Sequence, residues 1–539
     1  GKSSTGTSSS SGSGFGIPAK IGVAGSVSYN DISGTTGAYL ENTAVDMVAA
    51  QTGHPVSEDN ETVKVTAEDD VMIGAYSGAA ALKKGGASSS GGSASATLAG
   101  AVAMNESTKK VVAQIKKAQI KNAKAITNTA FKSGAVVAAG LALGKESAGG
   151  AGGSGGGFAA LGASASVNEI NNQVYALIQD TNINQVAESE DALTVNTLLQ
   201  NIAKDNDIQV TGGINLEYAK AYAGLGAAVS EMTVVNDIQA KISGGNMQNI
   251  GALANYAQSD IVQVGAAVSA GAVSGQSYLG VEGAVVINDL TNNVSATIEG
   301  ATINAASVDV KAYDGGLEEN KYHDQLAEDG FDIDGKEAMD DVNSGDGDVT
   351  VVKDNLGEEG AGSEGKEAYN GTKFAANANG GNLIVTSAAG LVLNTGNASA
   401  SVTAGAAVST NEINNSFNAG IKGGSITTSG NTNVKAESDT LMIGVAAGAA
   451  AGTSAQGAVA TGSGSTLELH NNTIAEIEDA TVNASTTSVD AKTKSRLINV
   501  AGQVSVGKGN VTAGASVAIN ELDNLTGAYV RSTHLTRIN

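Results

Sequence analysis

The feature that most constrains this chain is a repeat. Alanine, any residue, an aliphatic residue, and a second aliphatic five positions later recur eight times along the 539 residues. The copies are Ala38-Tyr39-Leu40 with Val45, Ala113-Gln114-Ile115 with Ile120, Ala176-Leu177-Ile178 with Ile183, and Ala240-Lys241-Ile242 with Met247. They continue with Ala296-Thr297-Ile298 with Ile303, Ala419-Gly420-Ile421 with Ile426, Ala475-Glu476-Ile477 with Val482, and Ala528-Tyr529-Val530 with Leu535. The first aliphatics, the anchors, lie 75, 63, 64, 56, 123, 56 and 53 residues apart. Ten residues before the anchor stands Asn in six copies (Asn30, Asn105, Asn168, Asn288, Asn411, Asn520), and Met232 and Leu467 take the other two places. Internal repetition of this kind describes units that bury their apolar faces on their neighbours, a repeat architecture in place of several separate globules.

Within a unit the pattern is that of strands. Small-residue runs such as Gly162–Val167 and Gly405–Ser409 precede the Asn, and alternating stretches such as Val65-Thr66-Ala67-Glu68 and Val434-Lys435-Ala436-Glu437 follow the anchor. Period-two alternation broken by Gly, Asn, Asp and Ser predicts an all-β chain wound as a right-handed parallel β-helix, a β-solenoid with loop insertions. With about 20 residues to a coil, a unit is about three coils, and coils stacked at ~4.8 Å give a rod on the order of 100 Å long. On that coil length the repeated Asn residues stand ~14 Å apart, too far to stack, and the expectation is that they turn corners in the left-handed conformation.

Composition fits a slim interior. Aromatics are 3% of the chain, with no Trp, no Cys and 72 Gly, so the core must be built from Ala, Val, Ile and Gly. The lack of Cys removes disulfide frameworks and thiol-based metal or redox chemistry. A formal charge of −24 makes nucleic acid a poor partner. The longest small-apolar run, near Ala135–Leu143, is too short for a transmembrane segment. The chain begins Gly1-Lys2-Ser3-Ser4, which reads as a processed or excised start.

Three Gly/Ser-rich stretches, Ser3–Gly14, Lys83–Gly92 and Ser147–Gly157, fall at one phase of the repeat and read as loops at one corner. The segment Asp314–Glu367 differs in kind, with 18 acidic residues against 4 lysines and no anchor. The chain thus divides into solenoid repeats over 1–313, an acidic insert over 314–370 and repeats again over 371–539. Inside the insert, Asp332, Asp334, Asp341, Asn343, Asp346 and Asp348 alternate along Gly-containing turns, a spacing of hard oxygen donors suited to Ca²⁺. Lys336 and the missing twelfth-position Glu spoil an EF-hand match, and a solvated acidic loop is the plainer reading.

The lysines of Ser107–Lys132 (Lys109, Lys110, Lys116, Lys117, Lys121, Lys124) have helical spacing, but the repeat alignment makes them solenoid strands with lysines facing out. A basic strip for anionic surfaces is the alternative. The four histidines, His54, His323, His470 and His534, are scattered, without metal-ligand spacing. A polysaccharide lyase or glycosidase needs converging carboxylates, basic residues and sugar platforms. Arg occurs only at 496, 531 and 537, so no catalytic residue and no enzyme activity is assigned.

Both ends carry one motif, Gly25-Ser26-Val27-Ser28-Tyr29-Asn30-Asp31-Ile32 with Thr36-Gly37-Ala38-Tyr39, and Gly514-Ala515-Ser516-Val517-Ala518-Ile519-Asn520-Glu521-Leu522 with Thr526-Gly527-Ala528-Tyr529. This grammar resembles the repeats of large bacterial surface adhesins of the filamentous haemagglutinin and leukotoxin-like type. The resemblance implies a secreted β-helix at the bacterial cell surface, exported by a type V route. With both ends in phase and no polar cap, the expectation is a segment of a longer protein, or a subunit that self-associates end to end into filaments. Its role is then structural, in an extracellular bacterial fibre. The alternative is an adhesin that binds a host or neighbouring cell through corner loops and the acidic insert.

Overall fold

The computed structural model describes residues 20–47, 62–84, 95–147, 157–184, 196–275, 277–314, 382–396, 398 and 400–537. Among them there is no helix. Eight coils follow one another. The first holds β1 (Lys20–Glu41), β2 (Ala44–Asp46) and β3 (Thr62–Lys84); the second β4 (Ser95–Lys116), β5 (Gln119–Lys121) and β6 (Ala125–Ser147). The third holds β7 (Gly157–Gln179), β8 (Asn182–Ile183) and β9 (Thr197–Ala219); the fourth β10 (Ala221–Ser243) and β11 (Asn246–Val273). The fifth holds β12 (Leu279–Glu299), β13 (Thr302–Asp314) and β14 (Asn382–Asn394); the sixth β15 (Val402–Lys422), β16 (Ser425–Thr428) and β17 (Asn431–Gly452). The seventh holds β18 (Ala458–Glu478), β19 (Thr481–Ala484) and β20 (Thr486–Gly507), and the eighth β21 (Val511–Arg531) and β22 (His534–Arg537).

The opening strands of the coils pair in parallel as sheet A, in the order β1-β4-β7-β10-β12-β15-β18-β21, and the remaining strands form sheet B. The chain is a parallel β-solenoid. Its register is the repeat itself: Leu40 lies on Ile115, Ile115 on Ile178, Ile178 on Ile242, Ile242 on Ile298, Ile298 on Ile421, Ile421 on Ile477 and Ile477 on Val530.

One whole repeat is therefore one coil, which corrects the expectation of about 20 residues. The sheet A strands run 21 to 23 residues without a break. Two such strands use most of a unit. Their length is about 70 Å, while eight of them stacked at ~4.8 Å rise only about 35 Å. The body is broad and low, where a rod on the order of 100 Å was expected.

The corners also differ from expectation. Asn30, Asn105 and Asn168 lie in mid-strand and point inward; the left-handed turns come two residues after each anchor. There Asn42, Lys117, Asp180, Gly244, Gly300, Gly423, Asp479 and Ser532 have φ between 46° and 65°. This one residue per coil turns the chain out of sheet A.

The interior is wedge-shaped. At the thick end, between the end of sheet A, the short strands and the start of sheet B, the six anchors of the inner coils join Ile126, Leu199, Leu253 and Phe417 in the largest core cluster, with Leu40 packed against it. Towards the other end the two sheets close on Ala-lined contacts. There they come so near that a Cβ on Gly140 would stand 2.8 Å from the Ala165 carbonyl oxygen, and one on Gly213 2.6 Å from that of Val229. Larger side chains do not fit between backbones at that distance, which accounts for the Gly and Ala content.

Candidate functional site

Two regions carry chemistry: a polar seam inside the solenoid and the edges of its first and last coils. The seam begins with the inward asparagines. Asn30 Nδ2 donates to Asn105 Oδ1 at 2.9 Å, and Asn105 Nδ2 donates to Asn168 Oδ1 at 2.9 Å and to the Val137 carbonyl at 2.7 Å. On sheet B, Asn128 donates to Asn201 and Asn201 to Asn255, each at 2.7 Å. Asn415, Asn471 and Asn524 form a third run at 2.9 and 3.1 Å. Amide stacking, ruled out on a short coil, is thus a main feature, because equivalent residues are one coil apart. Each amide ties its coil to the next, and several also reach the opposite sheet's backbone.

Midway along sheet B the seam becomes charged. Lys132, Asp205 and Asp207 are inward and buried, with Lys132 Nζ 2.5 Å from Asp207 Oδ1 and 3.5 Å from Asp205 Oδ1. Asn172 of sheet A donates to Asp207 Oδ2 at 2.5 Å. Burial pushes the Asp205 carboxyl up to about 7, helped by the charge of Asp207 and opposed by Lys132. Burial acts to lower Lys132, but the two aspartates overcome it and raise its pKa. Lys109, in the same lysine stretch, bonds Asp69 at 3.5 Å with only 12% of its side chain exposed. The expectation that these lysines face out therefore fails at Lys109 and at Lys132.

A second buried acid pair lies towards the thin end. Glu282 accepts from the Ser269 hydroxyl and from Asn215 Nδ2. Burial, then the neighbouring Glu282, pushes Glu217 up to about 10; burial pushes Glu282 up to about 8. Glycine makes the room: Cβ atoms at Gly226 and Gly271 would fall on the Glu282 carboxylate oxygens. Shifts in this direction favour the protonated form of both carboxyls near neutral pH; Glu282 Oε2 holds the side-chain hydrogen bonds, while both carboxyl oxygens of Glu217 lack a partner.

No family model, curated protein or solved structure matches the chain.

The insert leaves sheet B beside the seam. β13 ends at Asp314 and β14 resumes at Asn382 in the same row. The candidate calcium ligands Asp332, Asp334, Asp341, Asn343, Asp346 and Asp348 lie outside the described residues, as do His54 and His323. Among the described residues no three His, Cys, Asp or Glu side chains come together as a metal site. His470 and His534 lie on β18 and β22, apart from the buried acids. No helix among the described residues is long and apolar enough to cross a membrane.

The buried ions and acids (Lys132, Asp205, Asp207, Glu217 and Glu282) were missed from sequence. The signal was present: once the segments of each sheet are aligned in phase, Lys132 and Asp205 share an inward column with Asp69, while Glu217 on sheet B and Glu282 on sheet A fall in inward columns of glycine and alanine (Gly144 and Gly271; Gly162 and Gly226).

The edges are the exposed part. β21 has a sheet neighbour on one side only, β18. Leu522 and Val530 point inward, in register with buried Leu469 and Ile477, yet they are 51% and 47% exposed. On β1, at the other end, Ile32, Ala38 and Leu40 are half-buried against the core.

Proposed function

We propose that this chain is a structural protein of an extracellular bacterial fibre or filament, in which coils stack end to end along the solenoid axis. The observation that carries the reading is the unbroken parallel stacking of eight coils along one axis, each anchor lying on that of the next coil. A parallel strand edge with unpaired backbone groups is a template for another strand.

The complement exists on β1. Leu40 and Val530 share a register position, so a second copy adding its β1 to β21 brings Asn30 onto Asn520 and Glu41 onto Arg531. The first contact extends the amide ladder and the second pairs opposite charges. Because β21 is followed among the described residues only by β22, the junction also needs one more long strand of sheet B.

The test is polymerisation of the purified chain. Electron micrographs should show fibres with a ~4.8 Å axial repeat by diffraction, and Leu522→Lys should abolish them. Short monodisperse particles at every concentration would refute the reading. The second reading, a surface adhesin, is favoured by a groove of about 380 Å³ on the outer face of sheet B, lined by Leu198, Gln200, Tyr256, Asp309 and Asn433. That reading expects cell binding to disappear when Asp314–Glu367 is removed while fibres, if any, persist.

A further inference from the structure

We propose that the solenoid pairs with a second copy of itself through the outer face of sheet A, on the thin half of the wedge. Strand alternation locates the face. On β4 the inward Ala99, Ala101 and Ala103 are buried, so Leu98, Gly100, Val102 and Met104 point out, and the register carries this outward set through all eight coils. Five outward positions of each strand lie before a row of acids that runs from Asp31 to Glu521, with Thr233 its one exception. Those five rows hold one charge, Glu231, and two threonines, Thr410 and Thr466; their other members are glycine or apolar. The face is open to water on inner strands as well as at the ends: Leu98 is 43% exposed, Ile287 39% and Val408 42%. Beyond the acids the same face turns polar, with Thr108 and Lys110, Asn171 and Gln173, and Thr291 and Asn293.

Three observations point to a second copy as the occupant. The first is glycine without an internal cause. Gly25, Gly100 and Gly283 have no positive φ, and a Cβ on any of them would meet nothing within 4 Å. Neither backbone conformation nor packing within one chain calls for glycine there, and glycine in mid-strand marks the close approach of another backbone. The second is shape and charge. These glycines belong to a row that is Gly or Ala in every coil, from Gly25 to Ala515, and the next row is Val in six coils of eight (Val27, Val102, Val229, Val285, Val408, Val517). A two-fold axis along the solenoid, between the two rows, lays the valine ridge of each copy in the small-residue trough of the other. It also carries the two acid rows to opposite borders, whereas a two-fold along the strands would set ridge on ridge and acid on acid. The third is size. Five rows on eight strands cover about 26 Å by 34 Å, roughly 900 Å², more than a monomer ordinarily exposes and about what each partner gives to a stable interface. The contact uses no strand edge, so it neither needs nor blocks end-to-end stacking and does not rest on the fibre reading.

Sedimentation velocity of the full chain carrying Leu522→Lys, which removes end-to-end growth, should show a dimer of about 106 kDa, twice the 53.0 kDa chain. Val285→Lys/Val408→Lys on the ridge should weaken that association at least about tenfold with an unchanged circular dichroism spectrum. Asn293→Lys/Ser416→Lys, on the polar half of the same two strands, should leave the dimer intact. Should the ridge lysines prevent folding, Gly100→Leu/Gly283→Leu must release the monomer instead by filling the trough. A parent chain that is monomeric at every concentration overturns the proposal, as does a dimer that survives both sets of changes, or a monomer that instead adsorbs through this face to phosphatidylcholine vesicles. If the Leu522→Lys chain still polymerises, Val285→Cys in those fibres must react with a maleimide at least about tenfold more slowly than Asn293→Cys, and equal rates overturn the pairing.

Discussion

Asn105 and Asn288 occupy the same place in the repeat, yet replacing each by leucine should move stability in opposite directions. Asn105 is fully buried and makes three side-chain bonds: to the Val137 carbonyl at 2.7 Å, to Asn168 at 2.9 Å, and from Asn30 at 2.9 Å. At about 1 kcal/mol per bond, plus about 1–3 kcal/mol for partners left unsatisfied, the loss exceeds the ~2 kcal/mol a buried leucine returns. The net expectation for Asn105→Leu is about 2–4 kcal/mol of destabilisation. Asn288 is 2% exposed, and neither its amide nitrogen nor its oxygen has a partner. The ladder fails there because its register neighbour on one side is Met232. Met232 and Leu467 fill the equivalent place at 0% exposure, which shows that the site accepts an aliphatic side chain of this size. Asn288→Leu removes an unsatisfied buried amide and should stabilise by about 1–3 kcal/mol. Urea unfolding followed by far-ultraviolet circular dichroism, with both variants at one protein concentration, measures the difference. Shifts of the same sign and similar size would refute the claim that hydrogen-bond satisfaction, and not position in the repeat, sets the value of each asparagine.

The raised carboxyl pKa values of Asp205, Glu282 and Glu217 mean that the folded chain holds protons that the unfolded chain releases. Their contribution is therefore full below about pH 4 and is lost as pH rises, through about 7, 8 and 10 respectively, at ~1.4 kcal/mol per pH unit and group. Glu282→Gln should flatten the fall in urea midpoint between pH 5 and pH 8. Lys132→Met leaves two buried aspartates without their cation and should cost about 3–5 kcal/mol, partly recovered in the double variant with Asp207→Asn. Lys117 holds φ at 50°, so Lys117→Gly should raise the thermal midpoint by the equivalent of about 0.5–1 kcal/mol, whereas glycine at the mid-strand Lys110 should lower it.

The parallel strands, the register and the small-residue core were legible in the sequence because all three follow from side-chain alternation and repeat phase. The alignment of the eight anchors coincides with the sheet A pairing residue for residue, although the expected coil of about 20 residues puts equivalent positions three coils apart. The coil length was not legible. A strand of about 20 residues reads as two shorter ones when Gly25, Gly100 or Gly283 falls inside it, since glycine is usually punctuation. In this fold those glycines remain extended. The asparagine roles went wrong for the same reason: at one coil per repeat, equivalent amides meet, and the corner passes to the position two after the anchor. Gly, Asn and Asp, the residues that best tolerate the left-handed conformation, occupy that position in six of the eight copies. The charged seam was hidden because Lys132 and Asp205 look like solvent-facing residues until their columns are known.

The same geometry explains where the chain tolerates extra residues. The Gly/Ser-rich stretches fall between β3 and β4 and between β6 and β7, where sheet B hands the chain back to sheet A and no inter-coil register has to be kept. The acidic insert breaks that rule by leaving from mid-strand, which takes backbone partners away from the strands on both sides. Side chains at the two exit points take over their role. The Asp314 carboxylate accepts the Asp439 N–H at 2.8 and 2.7 Å, and Asn382 Oδ1 accepts the Ile261 N–H at 3.2 Å. With those groups satisfied, β11 and β17 run through the break, and the coils on either side keep their register. A mid-sheet insertion of this kind survives only where the bordering residues can replace the lost carbonyls. An aspartate and an asparagine at the two borders meet that requirement, and alanine at both would leave two buried N–H groups unpaired, at about 1–3 kcal/mol each.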